Sequence, residues 1–119
     1  MPASHAAATS IAAGSTNAAG ATKTGTVVDL TACYGAFLTA AILNGGTGPS
    51  NAANVNVYAS HDNSNFKLIQ QVTAGIVAST NYPFSFVIDA AIMYLRVDVS
   101  GNAGQTVTCE ALLSTITGL

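Results

Sequence analysis

The chain has 119 residues, of which 50% are hydrophobic and only 7% are charged, against about 25% in an ordinary soluble domain. That length fits one domain with one core. A surface so poor in charge is expected to be covered in part by other subunits, so an oligomer or a larger assembly is anticipated. Three scattered cations, Lys23, Lys67 and Arg96, and a formal net charge of −2 provide no phosphate-neutralising patch, which argues against a nucleic-acid partner. No apolar run reaches the roughly 18 residues of a membrane-spanning helix, and no membrane role is expected. The N-terminus lacks a basic region followed by a compact apolar one, so it does not read as a signal peptide, and the chain is expected to stay where it is made.

Residues 1–23 are almost entirely Ala, Ser, Thr, Gly and Asn, with Ile11 the only large apolar residue after Met1. Such a segment has too little hydrophobic content to fold alone. It is read as an extended N-terminal arm laid on a neighbouring chain, with Ala6, Ile11, Ala13 and Thr22 as candidate assembly contacts, and residues 24–119 as the folded domain. Residues 25–32 (GTVVDLTA) give the first strand. Residues 35–43 (GAFLTAAIL) are apolar on both faces and are read as a short buried strand that lies centrally or faces another subunit. Phe37, Leu38, Ile42 and Leu43 in that run complete the candidate assembly contacts. The loop 44–53 (NGGTGPSNAA) has no basic residue and lacks the GK[ST] ending of a phosphate-cradling loop.

The clearest local signal is a hairpin. Val55, Val57 and Ala59 alternate with polar residues, His61 to Asn65 supply a five-residue polar turn, and alternation resumes at Phe66, Leu68 and Val72. Further strands are predicted over residues 82–88 (Tyr82, Phe84, Phe86 and Ile88 inward), 93–100 (Met93, Leu95, Val97 and Val99 inward) and 105–115 (Val107, Cys109, Ala111 and Leu113 inward). Seven strands with turns near every ten residues predict an all-β fold, an antiparallel β-sandwich of jelly-roll type.

Little in the sequence supports catalysis. His61 beside Asp62, with Ser60 and Ser64, is the best imidazole candidate, but members of a catalytic triad must converge from different elements. Asp98 and Glu110 are expected on outward faces of consecutive strands, where Arg96 pairs with one of them. Asp62, Asn63 and Asn65 offer oxygens at the hairpin tip, yet one carboxylate is few for a calcium site, and Cys33, Cys109 and two remote histidines lack zinc-site spacing. The two cysteines are read as buried reduced thiols. No catalytic residue, metal or cofactor is assigned. His61, Asp62, Asn63 and Asn65 remain candidates for loop binding.

The pattern VNVYASHDNSNFKLI, followed by MYLRVDVSG and QTVTCEALL, together with the low-charge N-terminal segment, the GTVVDLT strand and the NGGTGPSN loop, resembles small β-sandwich decoration (cement) proteins of tailed bacteriophage capsids. The hairpin and YLRV features also resemble galactose-binding-like carbohydrate modules, but the chain has no Trp and no exposed aromatic and arginine cluster can be placed. The first resemblance implies a non-enzymatic virion protein on the capsid surface that clamps neighbouring copies of the major capsid protein, commonly as a homotrimer. The alternatives are a carbohydrate-binding module or a tail or head-fibre component.

Overall fold

The computed structural model describes residues 3–119, and these form nine strands: β1 (Ser4–Asn17), β2 (Lys23–Thr24), β3 (Val28–Asp29), β4 (Ala36–Asn44), β5 (Asn54–Ser60), β6 (Lys67–Thr73), β7 (Asn81–Ile88), β8 (Tyr94–Ser100) and β9 (Val107–Gly118). The first sheet runs β1-β9-β4-β7, and the second runs β2-β8-β5-β6 with β3 also on β8. Every named pairing is antiparallel. Because β2 and β3 share one position against β8, the chain has eight strand positions. The first position pairs with the last, the second with the seventh, the third with the sixth and the fourth with the fifth. This is a long hairpin rolled into two facing sheets, the jelly roll expected from the sequence.

Alternation explains the core. Leu38, Ala40 and Ile42 of β4 face Val55 and Val57 of β5, Leu95, Val97 and Val99 of β8, and Val107, Cys109, Ala111 and Leu113 of β9, all buried in one cluster. Tyr82, Phe84 and Phe86 pack against its edge as predicted, with Ile88 inside it. The thinnest dimension is 18 Å, two sheets deep. Cys33 and Cys109 are both free thiols, Cys33 half-buried.

Three sequence expectations change. Met1 and Pro2 lie outside the described residues, but most of the expected N-terminal arm is β1, a strand of this chain's own first sheet paired along β9. Ile11 is 2% exposed within the core and Ser10 is buried beside it, so neither can lie on a neighbour. Ala6 and Ala13 are exposed on the same strand, and Thr22 is exposed in the turn after it. Second, the predicted strand 25–32 is broken into β2 and β3, because residues between them leave β8 to reach β1. Thr26 N donates to Ser10 O at 2.7 Å, while Ser10 Oγ donates to Thr26 O at 2.8 Å and accepts from Val97 N at 3.0 Å. Gly25 N donates to Val97 O at 2.9 Å. Ser10 thus ties the two sheets together along one side. Third, the register of β5 against β6 shifts between Val57 and Tyr58. Ile69 becomes a bulge, and Leu68 ends up opposite Tyr58 on the outer face, half exposed instead of inward.

At one end of the sandwich, buried Asn17 and Asn102 close the loops. Asn17 Nδ2 donates to Asn102 Oδ1 at 2.6 Å, and Asn102 Nδ2 donates to the carbonyls of Asn17 and Gln105 at 3.1 and 2.9 Å. Each amide therefore satisfies backbone groups that the turns would otherwise leave unpaired.

Candidate functional site

The registers of β1, β4, β7 and β9 place four strands' outward residues in rows across the first sheet. One row reads Val87, Phe37, Ser114, Ala7; the next reads Ser85, Thr39, Leu112, Thr9; the others carry Pro83, Ala41, Glu110 and Asn81, Leu43, Thr108, Thr16. Phe37 is 46% exposed, Leu43 43% and Val87 85%. His5 and Ile116 pair at one end of this face. Among the described residues, Glu110 and His5 are its only titratable groups. The result is a broad, nearly uncharged surface of small and apolar side chains, of the kind that marks a contact site.

This geometry separates the candidate assembly contacts that the sequence grouped in β4. Phe37 and Leu43 point outward. Leu38 and Ile42 are fully buried in the chain's own core and present no surface for a contact. Val87, Leu112 and Ile116 belong to the same face but were not singled out in the sequence; an apolar residue at an outward position of an alternating strand was the available signal.

The candidate loop-binding residues lie at the opposite feature, a cleft of about 400 Å³ between the β5–β6 turn and the β7–β8 connection. Ser60, His61, Asp62 and Asn65 form its rim with Lys67 and Asp89, while Ala59, Ile69, Ala91, Ile92 and Met93 supply apolar walls. Asn63 is not among the lining residues; it adopts a left-handed backbone, φ 59°, at the turn. Asp62 is occupied by the turn itself. Its Oδ1 accepts from Ser64 N at 2.9 Å, Asn65 N at 2.8 Å and Ser60 Oγ at 2.9 Å, and its Oδ2 accepts from Asn65 Nδ2 at 2.8 Å. The Asn65 hydrogen bonds lead, with those of Ser64 and Ser60, in holding the Asp62 carboxyl well below the usual carboxylate range. With both oxygens engaged, this carboxylate is a turn-former, and Ser60 Oγ is directed to it. The described residues hold no cluster of three or more metal-ligating side chains.

The depressed value fixes a pH dependence. A carboxyl lowered on folding contributes order at every pH above its unfolded value of about 3.9 and loses that contribution only as pH falls through the lower folded value. The Ser64 and Asn65 amides are therefore expected to remain protected through pH 4, while in Asp62→Ala they exchange freely at neutral pH. Amide exchange by NMR checks both.

On the outer face of the second sheet, Arg96 pairs with Asp98 two residues along the same strand, Nε to Oδ1 at 3.0 Å and a terminal guanidinium nitrogen to Oδ2 at 3.2 Å. The expectation of a cross-strand choice between Asp98 and Glu110 does not hold, because Glu110 belongs to the other sheet. The same guanidinium carbon lies 4.8 Å from the Tyr58 ring centre and 4.7 Å from that of Phe66, within cation–π range. An aromatic and arginine cluster does exist, then, built by the fold from two neighbouring strands and a turn. Asp98 is itself buried and also accepts from Gly25 N at 3.2 Å, so the cluster is braced into the strand. Burial pushes the Cys109 thiol up, away from the reactive thiolate. No helix of the described residues is long and apolar enough to cross a membrane.

No protein-family model matches the sequence, and no curated protein is similar to it at a significant level. Similarity appears in the fold. A chain of the infectious bursal disease virus particle superposes with a TM-score of 0.67 at 14% identity, covering 95% of this chain and 31% of that one. The SPBc2 prophage-derived protein YomS gives 0.52 at 14% identity, with 96% of each chain covered. An adhesin domain of Lys-gingipain from Porphyromonas gingivalis gives 0.51 at 16% identity over 77% of this chain and 62% of that one. The chain thus spans about a third of the viral particle protein, and the shared property is the two-sheet fold.

Proposed function

We propose that the protein is a structural component of a phage particle, a capsid decoration protein that docks on neighbouring capsid subunits through the outer face of its first sheet. The observation that carries this reading is the face itself. Phe37 and Leu43 of β4, Val87 of β7, and Leu112 and Ile116 of β9 lie among small, mostly uncharged residues, and burying such a surface leaves few charges desolvated. A clamp needs area and complementarity more than chemistry, and repetition over many copies multiplies a modest contact. The fold shared with a virus particle chain and a prophage-derived protein supports the same class. The carbohydrate reading has less behind it, since the Asp62 oxygens that a sugar hydroxyl would meet are already engaged.

Phe37→Asp tests the proposal. Placing a charge at this exposed apolar position of the face is expected to weaken co-sedimentation with capsids at least ~30-fold, the loss of a hot-spot residue, while the thermal unfolding of the free protein is unchanged. Incorporation equal to that of the unmodified protein overturns the reading.

A further inference from the structure

We propose that residues 5–9 of β1 pair edge to edge with the same residues of a second copy, antiparallel across a two-fold axis, joining two first sheets into one. A sheet edge presents unpaired N–H and C=O groups, and proteins ordinarily block it. Three of this sandwich's four edges are blocked. β6 carries Lys67 and the bulge at Ile69, and the β2/β3 edge is two fragments of two residues each. The edge at β7 follows from alternation. Asn44 N donates to Thr80 O, so even-numbered residues of β4 bond toward β7, and their partners Tyr82, Phe84 and Phe86 bond back. Asn81, Pro83, Ser85 and Val87 then turn their backbone outward, and Pro83 removes a donor from the middle of that edge.

The fourth edge, β1, has register shifts between Ser4 and His5 and beyond Thr9, but no such device over residues 5–9. Ile116 exchanges its backbone hydrogen bonds with Tyr34 and Gly35 on the β4 side, so Thr115 and Leu113 turn theirs toward β1 and meet Ala6 and Ala8. His5, Ala7 and Thr9 are left with N–H and C=O directed out of the sheet. Residues 5–9 run in unbroken register, without Pro, Lys, Arg, Asp or Glu, and no described strand lies beyond them. Beyond Thr9 the edge ends, because Ser10 turns to Thr26.

The occupant that fits is a second copy of the chain. Antiparallel self-pairing centred on Ala7 sets His5 opposite Thr9 of the other copy, so no like charges meet. It makes about six new backbone hydrogen bonds, two for each of three residue pairs. It also continues the uncharged outer face from one subunit to the next, since His5, Ala7 and Thr9 lie on that face. The pairing gives two-fold units instead of the three-fold ones that the family resemblance implies, and it rests on the assembly reading for its role.

Sedimentation equilibrium over a concentration series tests it. The unmodified chain is expected to show a reversible monomer–dimer equilibrium, with the Ala7 and Thr9 amides slow to exchange in the dimer. Ala7→Pro removes an outward donor and breaks no hydrogen bond within the chain. Ala7→Lys keeps the donor and adds an edge charge. Each is expected to weaken association at least ~10-fold with thermal unfolding of the monomer unchanged, and Ala7→Lys decides should the proline variant fail to fold. A monomer at every concentration, a trimer, or a dimer indifferent to both substitutions overturns the pairing. A monomer that still decorates capsids overturns the pairing alone; a dimer that never binds particles overturns the decoration reading alone.

Discussion

Gly25→Ala is expected to destabilise the fold by about 3 kcal/mol or more, out of a total of roughly 5–15 kcal/mol for a domain of this kind. Gly25 sits where the chain leaves β8 to reach β1, and a Cβ there would run into the carbonyl oxygen of Val97 and come within 2.5 Å of Ser10 Oγ and 3.1 Å of Ile11 Cγ1. None of these neighbours can yield cheaply. Val97 belongs to the central strand β8 and is fully buried, and its carbonyl accepts the Gly25 N–H. Ser10 Oγ holds Val97 N and Thr26 O at once. Relief of the clash must therefore break at least one hydrogen bond at the seam between the sheets and leave its buried partner unsatisfied. Urea unfolding should show a lower midpoint at unchanged slope. A shift below about 0.5 kcal/mol, the usual size for a surface change, would refute the seam's importance.

The seam also shows where the sequence was readable and where it was not. The strands β5, β8 and β9 were legible because Val55, Val57, Leu95, Val97, Val99, Val107, Cys109 and Leu113 alternate with polar residues, and their inward assignment holds; Met93, predicted inward with them, precedes β8 and is exposed. β1 was hidden because its core positions are mostly Ala and Ser, residues without a periodic hydrophobic signal; Ile11 was the single mark of an inward face. Its partner β9 lies about a hundred residues away, and long-range pairing leaves no trace in local composition. Leu68 was misassigned because one bulge at Ile69 reverses the parity of everything before it. The outer face of the first sheet was half legible for a related reason. The run 35–43 is apolar on both faces, so the sequence could name Phe37, Leu38, Ile42 and Leu43 but could not choose between the two parities. Only the pairing with Val87 and Ser114 on one side, and Phe86 and Leu113 on the other, makes that choice. The Arg96, Tyr58 and Phe66 cluster was invisible because it joins a strand, its neighbour and a turn.

That parity yields the second large effect. Leu38 and Phe37 are adjacent, yet Leu38 is 0% exposed and Phe37 46%, so their substitutions should separate stability from docking. Leu38→Ala leaves a cavity between the sheets, where its cross-strand partners Leu113 and Phe86 are held in place by their own strands and cannot close over it. A loss of about 2–5 kcal/mol is expected, which lowers the melting temperature by roughly 8–20 °C at about 4 °C per kcal/mol. Below that temperature the outer face is intact, and capsid co-sedimentation should match that of the unmodified chain. Phe37→Asp should do the reverse, keeping the melting temperature and losing the particle. Calorimetry and co-sedimentation on the same two proteins decide the matter, because a Leu38→Ala variant that stays stable but fails to bind would mean that the inward and outward faces of the first sheet are exchanged.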